Sequence, residues 1–208
     1  MNLPEKTVER LSIYRRALLE SLSKGKMHIF SYELAALLNI TPVQVRRDIM
    51  LIGYTGTQRK GYDIEELVKI IGRILDTDEG LKVAVIGVGN LGRSITGYFN
   101  GKRSKLNIVA VFDIDLEKVN RIISGVRCYH INEIPEIVKN EKISIGIITV
   151  PPENAKNIAE TLVMAGIKAI LNFTSVPLNV SSHVYLEEYD MVTSIEKAAF
   201  FVKKDKDI

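Results

Sequence analysis

The chain has 208 residues, of which 46% are hydrophobic and 25% are charged, and its formal net charge is +3. This composition is typical of a globular protein and excludes disordered, fibrous and collagen-like chains. No apolar run approaches the roughly 20 residues of a membrane span, and the charged start MNLPEKTVER is unlike a secretory signal, so we expect a cytoplasmic protein of one or two domains.

Two helices are predicted at the start of the chain. Apolar residues recur at helical spacing over residues 4–22, and proline is tolerated in the first turn of a helix. A shorter helix fits Ser31–Leu38, with Ser31 as its N-cap and Asn39 as the residue that ends it.

A third helix begins at a clear start signal. Thr41 is the predicted N-cap, Pro42 occupies the first helical position, and the Gln44 side chain can return a hydrogen bond to the cap. Residues 53–64 then combine glycines with β-forming tyrosines and threonines, which predicts a short glycine-hinged hairpin. A further helix covers about residues 64–75. Two short helices followed by a hairpin are typical of a winged helix-turn-helix.

The basic residues are concentrated at the start of the chain. Residues 1–62 contain ten lysines and arginines but only five aspartates and glutamates, whereas residues 63–78 contain five acidic and two basic side chains. The polar, turn-rich stretch 76–80 predicts a domain boundary. We therefore assign residues 1–78 to a DNA-binding domain.

Beyond residue 80 the pattern changes to alternating strands and helices. The strands are apolar runs, which indicate burial on both faces and hence a parallel sheet between layers of helices. The predicted strands are 82–86, 107–112, 126–129, 144–150 and 169–173, and the predicted helices are 91–99, 116–123, 132–139, 153–165 and 191–203. The fold class is therefore α/β, with a doubly wound Rossmann domain over residues 79–190 and a C-terminal helix over residues 191–208.

A glycine-rich motif follows the first of these strands. Gly87-Val88-Gly89-Asn90-Leu91-Gly92 comes directly after a strand and opens a helix. In such a turn Gly87 permits the tight bend, Gly89 lets a pyrophosphate approach the backbone, and Gly92 lets the helix pack against the strand. Free N–H groups and the helix dipole then hold the phosphates.

Asp113 is the second element of the predicted nucleotide site. It ends the next strand, 21 residues after Gly92, where a carboxylate accepts hydrogen bonds from the adenosine ribose and repels a 2′-phosphate. NAD(H) is therefore favoured over NADP(H), although Asp113 could also simply cap the predicted helix 116–123. Later strand ends supply the further candidates Val150, Pro151 and Phe173, although turn residues are needed at strand ends in any case.

The third helix has the composition of a DNA-reading helix. Gln44, Arg46 and Arg47 lie near its start, where side chains reach base edges. Arg59 and Lys60 in the hairpin suit phosphates or the minor groove. Basic residues in both elements argue against a merely solvated surface.

With both halves in view, the chain resembles the Rex family of redox-sensing transcriptional repressors along nearly its whole length. The matching stretches are Arg10-Leu11 with Tyr14, Gln44-Val45-Arg46 through Asp48 and Gly53, Gly61-Tyr62 with Glu66-Leu67, the glycine motif, Phe112-Asp113, and Ala165-Gly166-Ile167-Lys168 followed by Asn172-Phe173. Departures from the family pattern occur in the wing, residues 57–62, and at Thr174-Ser175 after Phe173.

The resemblance implies a homodimer that binds a near-palindromic operator, exchanges its C-terminal helix between subunits, and leaves DNA when NADH replaces NAD⁺. It also implies a switch in which Asp190 changes partner between Arg16 and Tyr98. The residues expected to contact DNA are Arg10, Arg16, Ser31, Gln44, Arg46, Arg47, Arg59, Lys60 and Tyr62.

Two other functions remain open from the sequence. An NAD-dependent oxidoreductase needs a substrate domain and a positioned acid or base, but only 95 residues follow Asp113, and none of the three histidines adjoins a catalytic motif. A CoA-binding module is suggested by the similarity of Val150-Pro151-Pro152 and Ala165-Gly166-Ile167 to CoA-ligase α-subunits. We expect no metal site and no catalytic residue, and Cys128 is expected to be a buried strand thiol.

Overall fold

The computed structural model describes residues 3–77, 79–99 and 105–204. The chain divides into two compact units, Met1–Thr77 and Asp78–Ile208. The predicted domain boundary lies between residues 78 and 79, one residue after this division.

The amino-terminal unit is a set of four helices with a small two-stranded sheet. Its elements are α1 (Glu5–Ser23), β1 (His28–Ile29), α2 (Ser31–Leu38), α3 (Pro42–Leu51), β2 (Tyr62–Asp63) and α4 (Ile64–Leu75). One face of each helix packs into a common apolar core that includes Tyr14, Leu34, Ile49 and Leu67. Because α2 and α3 are joined by only three residues, this core fixes them as a helix-turn-helix.

Local signals account for the ends of α2 and α3. Asn39 ends α2 in the left-handed conformation at φ 54°, and the Thr41 side chain accepts a hydrogen bond from the Gln44 backbone at 3.2 Å, as predicted. The N-cap of α2 was predicted wrongly. Phe30 holds that position, and its N–H donates to the Glu33 carboxylate at 2.7 Å, so that Ser31 is the first helical residue.

The wing has a different strand pairing from the one predicted. Tyr62–Asp63 pairs antiparallel with the earlier strand His28–Ile29. The tip is a tight turn in which Thr57 and Gly61 exchange backbone hydrogen bonds of 2.8 Å. Sequence spacing missed β1 because a two-residue strand has no periodicity of its own.

The second unit is built on a seven-stranded sheet with the order β5-β6-β4-β3-β7-β8-β9. Its strands are β3 (Leu81–Ile86), β4 (Leu106–Asp113), β5 (Ile122–Ile123), β6 (Val126–His130), β7 (Ile143–Ile148), β8 (Ala169–Asn172) and β9 (Tyr185–Glu188). All neighbouring strands are parallel except β5 and β6. The helices are α5 (Asn90–Phe99), α6 (Ile134–Glu141), α7 (Ala155–Met164) and α8 (Met191–Lys204).

Both faces of this sheet are covered, as the apolar strands predicted. Along β3, Ala84 and Ile86 belong to the core on one face, whereas Val83 and Val85 belong to the core on the other. The period of two in a strand sends alternate side chains to opposite faces. The doubly wound parallel sheet is therefore confirmed.

The predicted helix over residues 116–123 is wrong. Residues 116–120 form turns, and Ile122–Ile123 forms β5, which pairs antiparallel with the start of β6. Ser124 and Gly125, at φ 50° and 84°, form the two-residue connection between them. Two consecutive residues at positive φ are characteristic of a tight hairpin turn, which competes with a helix at this position.

The strand order indicates which end of the sheet carries the candidate site. The next strand along the chain, β4, lies on one side of β3, and β7 lies on its other side. The strand order therefore reverses at β3. Ligands of open α/β sheets bind at such a point, beyond the carboxyl ends of the strands. Within the described ranges, no helix has both the length and the apolar character required to cross a bilayer.

Candidate nucleotide and DNA sites

A cavity of about 630 Å³ lies at the carboxyl ends of β3, β4 and β7. This volume is in the range of small-molecule and cofactor sites. Of the predicted cofactor residues, it brings together Gly87, Gly89, Asn90, Leu91, Asp113, Val150 and Pro151. It is also lined by residues that the motif did not predict, namely Ile114, Lys118, Ile131, Thr149, Asn154, Asn157 and Ile158.

The glycine motif forms one wall of this cavity, and its tight turn leaves no room for a side chain at two of its glycines. Gly87 has φ +94°, and a Cβ on Gly92 would lie 2.0 Å from the Gly87 carbonyl oxygen. Thr149, which directly follows β7, closes this turn by donating from Oγ1 to the Gly87 carbonyl at 2.7 Å. A Cβ on Gly89 would meet no atom within 4 Å, so this glycine borders open space.

Asp113 is tied to the backbone of the glycine motif. Its Oδ2 accepts from the Val88 N–H at 2.8 Å and from Lys118 Nζ at 3.1 Å, and its Oδ1 accepts from the Asp115 N–H at 3.0 Å. Burial opposes ionisation of this carboxyl, but these donors together hold its pKa below the usual value. The carboxylate therefore stays charged at the edge of the cavity.

Three predicted cofactor residues do not line this cavity, and one of them, Gly92, is buried within α5. Val88 is fully buried, so only its backbone N–H takes part, through Asp113. Phe173 does not line this cavity; it stacks on Tyr189, with ring centroids 4.6 Å apart. Thr174, where the chain departs from the family pattern, is buried and bonded to Asn172 at 2.8 Å.

The predicted reading helix α3 is held against α1 by a buried carboxylate, Asp48, to which the sequence analysis did not assign a role. Asp48 is fully buried and accepts from Arg10 Nε at 2.6 Å, Tyr14 Oη at 2.7 Å and Gln44 Nε2 at 3.0 Å. Its burial raises the pKa, but these hydrogen bonds outweigh that effect and lower it. The sequence did contain a signal for this role, because Asp48 is an acidic residue at helical spacing among apolar core positions.

This cluster changes the interpretation of two predicted DNA contacts. The Gln44 side chain donates to Asp48 rather than to its own N-cap, which corrects the predicted capping bond. Arg10 is engaged with Asp48 through two of its nitrogens. Arg10 therefore helps to hold α3 against α1, whereas Gln44 is fixed within α3, and contact of either side chain with DNA stays a prediction.

Other predicted DNA residues lie on the exposed surface of the amino-terminal unit. Arg46 and Arg47 are exposed on α3, and Arg46 Nη1 donates to the Ser31 hydroxyl at 3.2 Å, which joins α3 to the start of α2. Arg59 and Lys60 are exposed at the wing tip. Tyr62 is the exception, since its side chain is only 7% exposed and packs in the core.

The three predicted switch residues have distinct surroundings. Arg16 is exposed on α1, beside a groove between α1 and α2. Tyr98 is 63% exposed near the end of α5 and lies edge-on to Phe99. The Asp190 carboxylate accepts from the Val192 and Thr193 N–H groups and so caps α8.

The remaining polar candidates have local structural partners. His130 Nδ1 accepts from the Asn132 N–H at 3.2 Å, and His183 lies within hydrogen-bonding distance of Ser181. Cys128 is buried, and burial raises its thiol pKa to about 11, which suppresses the thiolate. Over residues 3–77, 79–99 and 105–204, no cluster of three or more His, Cys, Asp or Glu has the arrangement of a metal site.

Comparison with known proteins identifies both halves. A family model described as the N-terminus of a putative DNA-binding protein matches residues 2–49, and one described as a CoA binding domain matches residues 78–176. The redox-sensing transcriptional repressor Rex of Geobacillus kaustophilus (strain HTA426) is 36% identical, covering 97% of this chain and 94% of the relative. The chain belongs to the Rex family. The Rex repressor of Lactobacillus acidophilus is 33% identical over 100% of this chain and 98% of its own.

Solved Rex structures share the fold. The crystal structure of RSP in complex with β-NAD⁺ and operator DNA has a TM-score of 0.91 and 32% identity, covering 99% of this chain and 95% of RSP. The complex of RSP with β-NADH has a TM-score of 0.86 and 31% identity, covering 99% and 97%. A third structure describes RSP as a Rex-family repressor.

These comparisons decide between the functions that the sequence left open. Rex relatives that match the whole chain are named transcriptional repressors, so this Rex protein is a regulator and not an enzyme. The CoA description belongs to a model that covers only the Rossmann unit, and it does not favour CoA as the ligand over the full-length relatives. The resemblance to the Rex family is confirmed.

Proposed function

We propose that this chain represses transcription by binding operator DNA as a homodimer and is released when NADH replaces NAD⁺ in its Rossmann unit. The observation that carries the proposal is the cavity at the reversal of strand order, lined by the glycine motif and by the ionised Asp113, in a chain that also has a helix-turn-helix. Its relatives are named redox-sensing repressors, and RSP was crystallised with NAD⁺ and operator DNA and, in a separate structure, with NADH.

The dinucleotide fits the cavity by its chemistry. The exposed backbone around Gly89, at the start of α5, suits a pyrophosphate, because helix N-termini present N–H groups and a positive dipole end. Asp113 suits the adenosine ribose, and Ile114, Ile131 and Ile158 supply the apolar surface that a flat adenine ring requires. Phe173 remains a proposed contact outside the described cavity.

The DNA contacts are proposed for the exposed basic surface of the amino-terminal unit. Arg46 and Arg47 on α3 are suited to guanine edges or phosphates in the major groove, and Arg59 and Lys60 to the phosphates beside it. Because Gln44 Nε2 donates one of its two protons to Asp48, the Gln44 oxygen and the second N–H are available to a base.

The dimer is proposed to form through α8. Its apolar residues Met191, Val192, Ile195, Phe200, Phe201 and Val202 are each more than half exposed. A helix with so much exposed apolar area normally packs against another surface. A second copy of this chain that exchanges α8 would cover it, and a two-fold dimer presents two reading helices to a palindromic operator.

The proposed switch transmits the nucleotide state to the dimer. Asp190 precedes α8 and caps it, so a change of its partner between Arg16 and Tyr98 would change how α8 is held. NADH need only bind the released geometry more tightly than it binds the DNA-bound geometry. A tenfold preference at each site corresponds to about 1.4 kcal/mol, and two sites act together.

The test is operator binding at controlled ratios of NADH to NAD⁺. Operator duplexes are first selected from a random DNA library with the NAD⁺-loaded protein, and their affinity is then measured by fluorescence anisotropy. We expect the affinity to fall as the NADH fraction rises at constant total nucleotide. Unchanged affinity at all ratios would refute redox sensing, and micromolar CoA binding without NADH binding would refute the ligand.

Gly89→Val provides the matched site variant. The added side chain enters open space, so the fold tolerates it while the pyrophosphate position is filled. We expect this variant to bind the operator and to lose the response to NADH. Gly97→Ala is the control, because its added methyl makes only ordinary contacts with Ser124 at 3.6 Å and 3.8 Å.

A further inference from the structure

Asp113 has fewer free acceptor positions than ribose recognition requires. An ionised carboxylate offers two oxygens with about four lone-pair sites. Oδ2 already accepts from the Val88 N–H and from Lys118 Nζ, and Oδ1 accepts from the Asp115 N–H. One acceptor position remains, on Oδ1, whereas the two adjacent hydroxyls of an adenosine ribose need two partners.

Lys118 is placed to supply the second partner. Its ammonium group has three donor protons, and its nitrogen lies 3.1 Å from Asp113 Oδ2 and 3.4 Å from Asp115 Oδ2. The side chain is 24% exposed and lines the same cavity as Asp113. With two protons directed at these carboxylates, one N–H is available to a ligand oxygen in the cavity.

We propose that Lys118 is a second recognition residue for the adenosine ribose and that it weakens the discrimination against a 2′-phosphate. This inference rests on the proposed binding of NAD(H). Asp113 Oδ1 accepts a hydrogen bond from one ribose hydroxyl, and Lys118 Nζ donates to the oxygen of the other.

The effect on a 2′-phosphate follows from the local charge. Asp113, Asp115 and Lys118 together carry a net charge of −1. Without the ammonium group the same position carries −2, and its repulsion of a phosphate dianion rises accordingly. Selection of NADH over NADPH is thus set by Asp113 and moderated by Lys118.

The experiment separates contact from charge with two neutral variants. Lys118→Met removes both the donor and the charge, whereas Lys118→Gln removes the charge and keeps an N–H donor. Dissociation constants are measured by fluorescence for NADH, for NADPH, and for NADH analogues that lack either the 2′- or the 3′-hydroxyl of the adenosine ribose. Lys82→Met is the matched control, because Lys82 is also ion-paired, to Glu141 at 2.9 Å, but lies near the start of β3.

Two results are expected. Lys118→Met weakens NADH binding about tenfold, as expected for loss of one hydrogen bond to a charged group. The ribose hydroxyl that Lys118 contacted then contributes nothing, so the analogue that lacks it binds this variant as tightly as NADH does. Both neutral variants raise the ratio of NADPH to NADH dissociation constants at least threefold, and Lys118→Gln keeps the greater share of NADH affinity. Lys82→Met changes neither quantity.

The outcomes that overturn the inference are distinct from those that overturn the proposed function. Wild-type protein that fails to bind NADH refutes nucleotide sensing itself. Wild-type protein that binds NADH, with an unchanged dissociation-constant ratio in both neutral variants, refutes the role of Lys118 in discrimination. If each deoxy analogue loses as much affinity relative to NADH in Lys118→Met as it does in wild type, the contact between Lys118 and the ribose is refuted.

Discussion

Replacement of Asp48 tests the interior of the DNA-binding unit most directly. This carboxylate is fully buried and joins α3 to α1 through Arg10 and Tyr14, and it also accepts from Gln44 within α3. Asp48→Ala leaves the Arg10 guanidinium without its ion-pair partner and the Tyr14 hydroxyl without its acceptor. We expect a loss of stability in this unit and, because α3 is no longer held, a loss of operator binding.

The loss of stability in Asp48→Ala can be estimated from the exposure of Arg10. Removal of one member of a buried ion pair costs about 3–5 kcal/mol. The Arg10 side chain is 23% exposed, so it can regain water by a small movement, and we expect the lower end, about 3 kcal/mol. Tyr14→Phe, which removes one hydrogen bond to the same charge, should cost about 1.5 kcal/mol.

The measurement is urea unfolding of the full chain followed by circular dichroism at 222 nm, with NADH affinity as a check on the Rossmann unit. Asp48→Asn is the matched control, since it preserves shape but not charge. An unfolding free energy for Asp48→Ala within 0.5 kcal/mol of wild type (about the scatter of surface substitutions) would refute the reasoning.

The same carboxylate predicts a pH dependence. The folded-state pKa of Asp48 is below its unfolded value, since its hydrogen bonds outweigh burial. Its contribution is therefore present above the unfolded pKa of about 4 and is lost as the pH falls through the folded pKa. The stability difference between wild type and Asp48→Asn should be constant at neutral pH and shrink on acidification below about pH 4; a difference that grows there would contradict the prediction.

Three further predictions concern the exposed surfaces and the glycine motif. Arg46→Ala should weaken operator binding at least tenfold by anisotropy and leave NADH affinity unchanged, whereas Arg73→Ala, an exposed arginine of α4, should change neither; full operator affinity for Arg46→Ala would exclude α3 as the reading helix. Gly92→Ala places a methyl group 2.0 Å from a carbonyl oxygen and should cost about 2 kcal/mol in thermal unfolding, which unaltered stability would contradict. Ile195→Asp on α8 should convert a dimer to monomers in sedimentation equilibrium, and a variant that remains dimeric would place the interface elsewhere.

Short-range chemistry accounts for the parts of the fold that were predicted correctly. Helices α2 and α4 have their predicted bounds, and Thr41 caps α3, because end signals act within one helical turn. The strands of the parallel sheet were recognisable because burial on both faces demands apolar runs. The glycine motif was predictable for a similar reason, since a Cβ at Gly92 has no space whatever the rest of the chain does.

The errors arose where distant or competing interactions override local preference. Residues 116–123 have helical apolar spacing, but pairing of Ile122–Ile123 with β6 around Ser124 and Gly125 competes with a helix. The wing was assigned its own hairpin, but β2 pairs with a strand that precedes α2. Such pairings depend on which backbone groups lie next to each other in space, and spacing along the chain does not encode that.

For the site, the residue types could be read from the sequence, but their partners could not. Glycine spacing and Asp113 indicate a dinucleotide site, because phosphate approach and ribose hydroxyls demand those groups in that order. Tertiary contacts alone place the Asp113 carboxylate on the Val88 N–H, 25 residues away, and place Lys118 beside it. Folding likewise joins Arg10 to Asp48 across 38 residues. Hydrogen bonds of this kind require a geometry of a few ångströms that exists only once the helices and strands have packed.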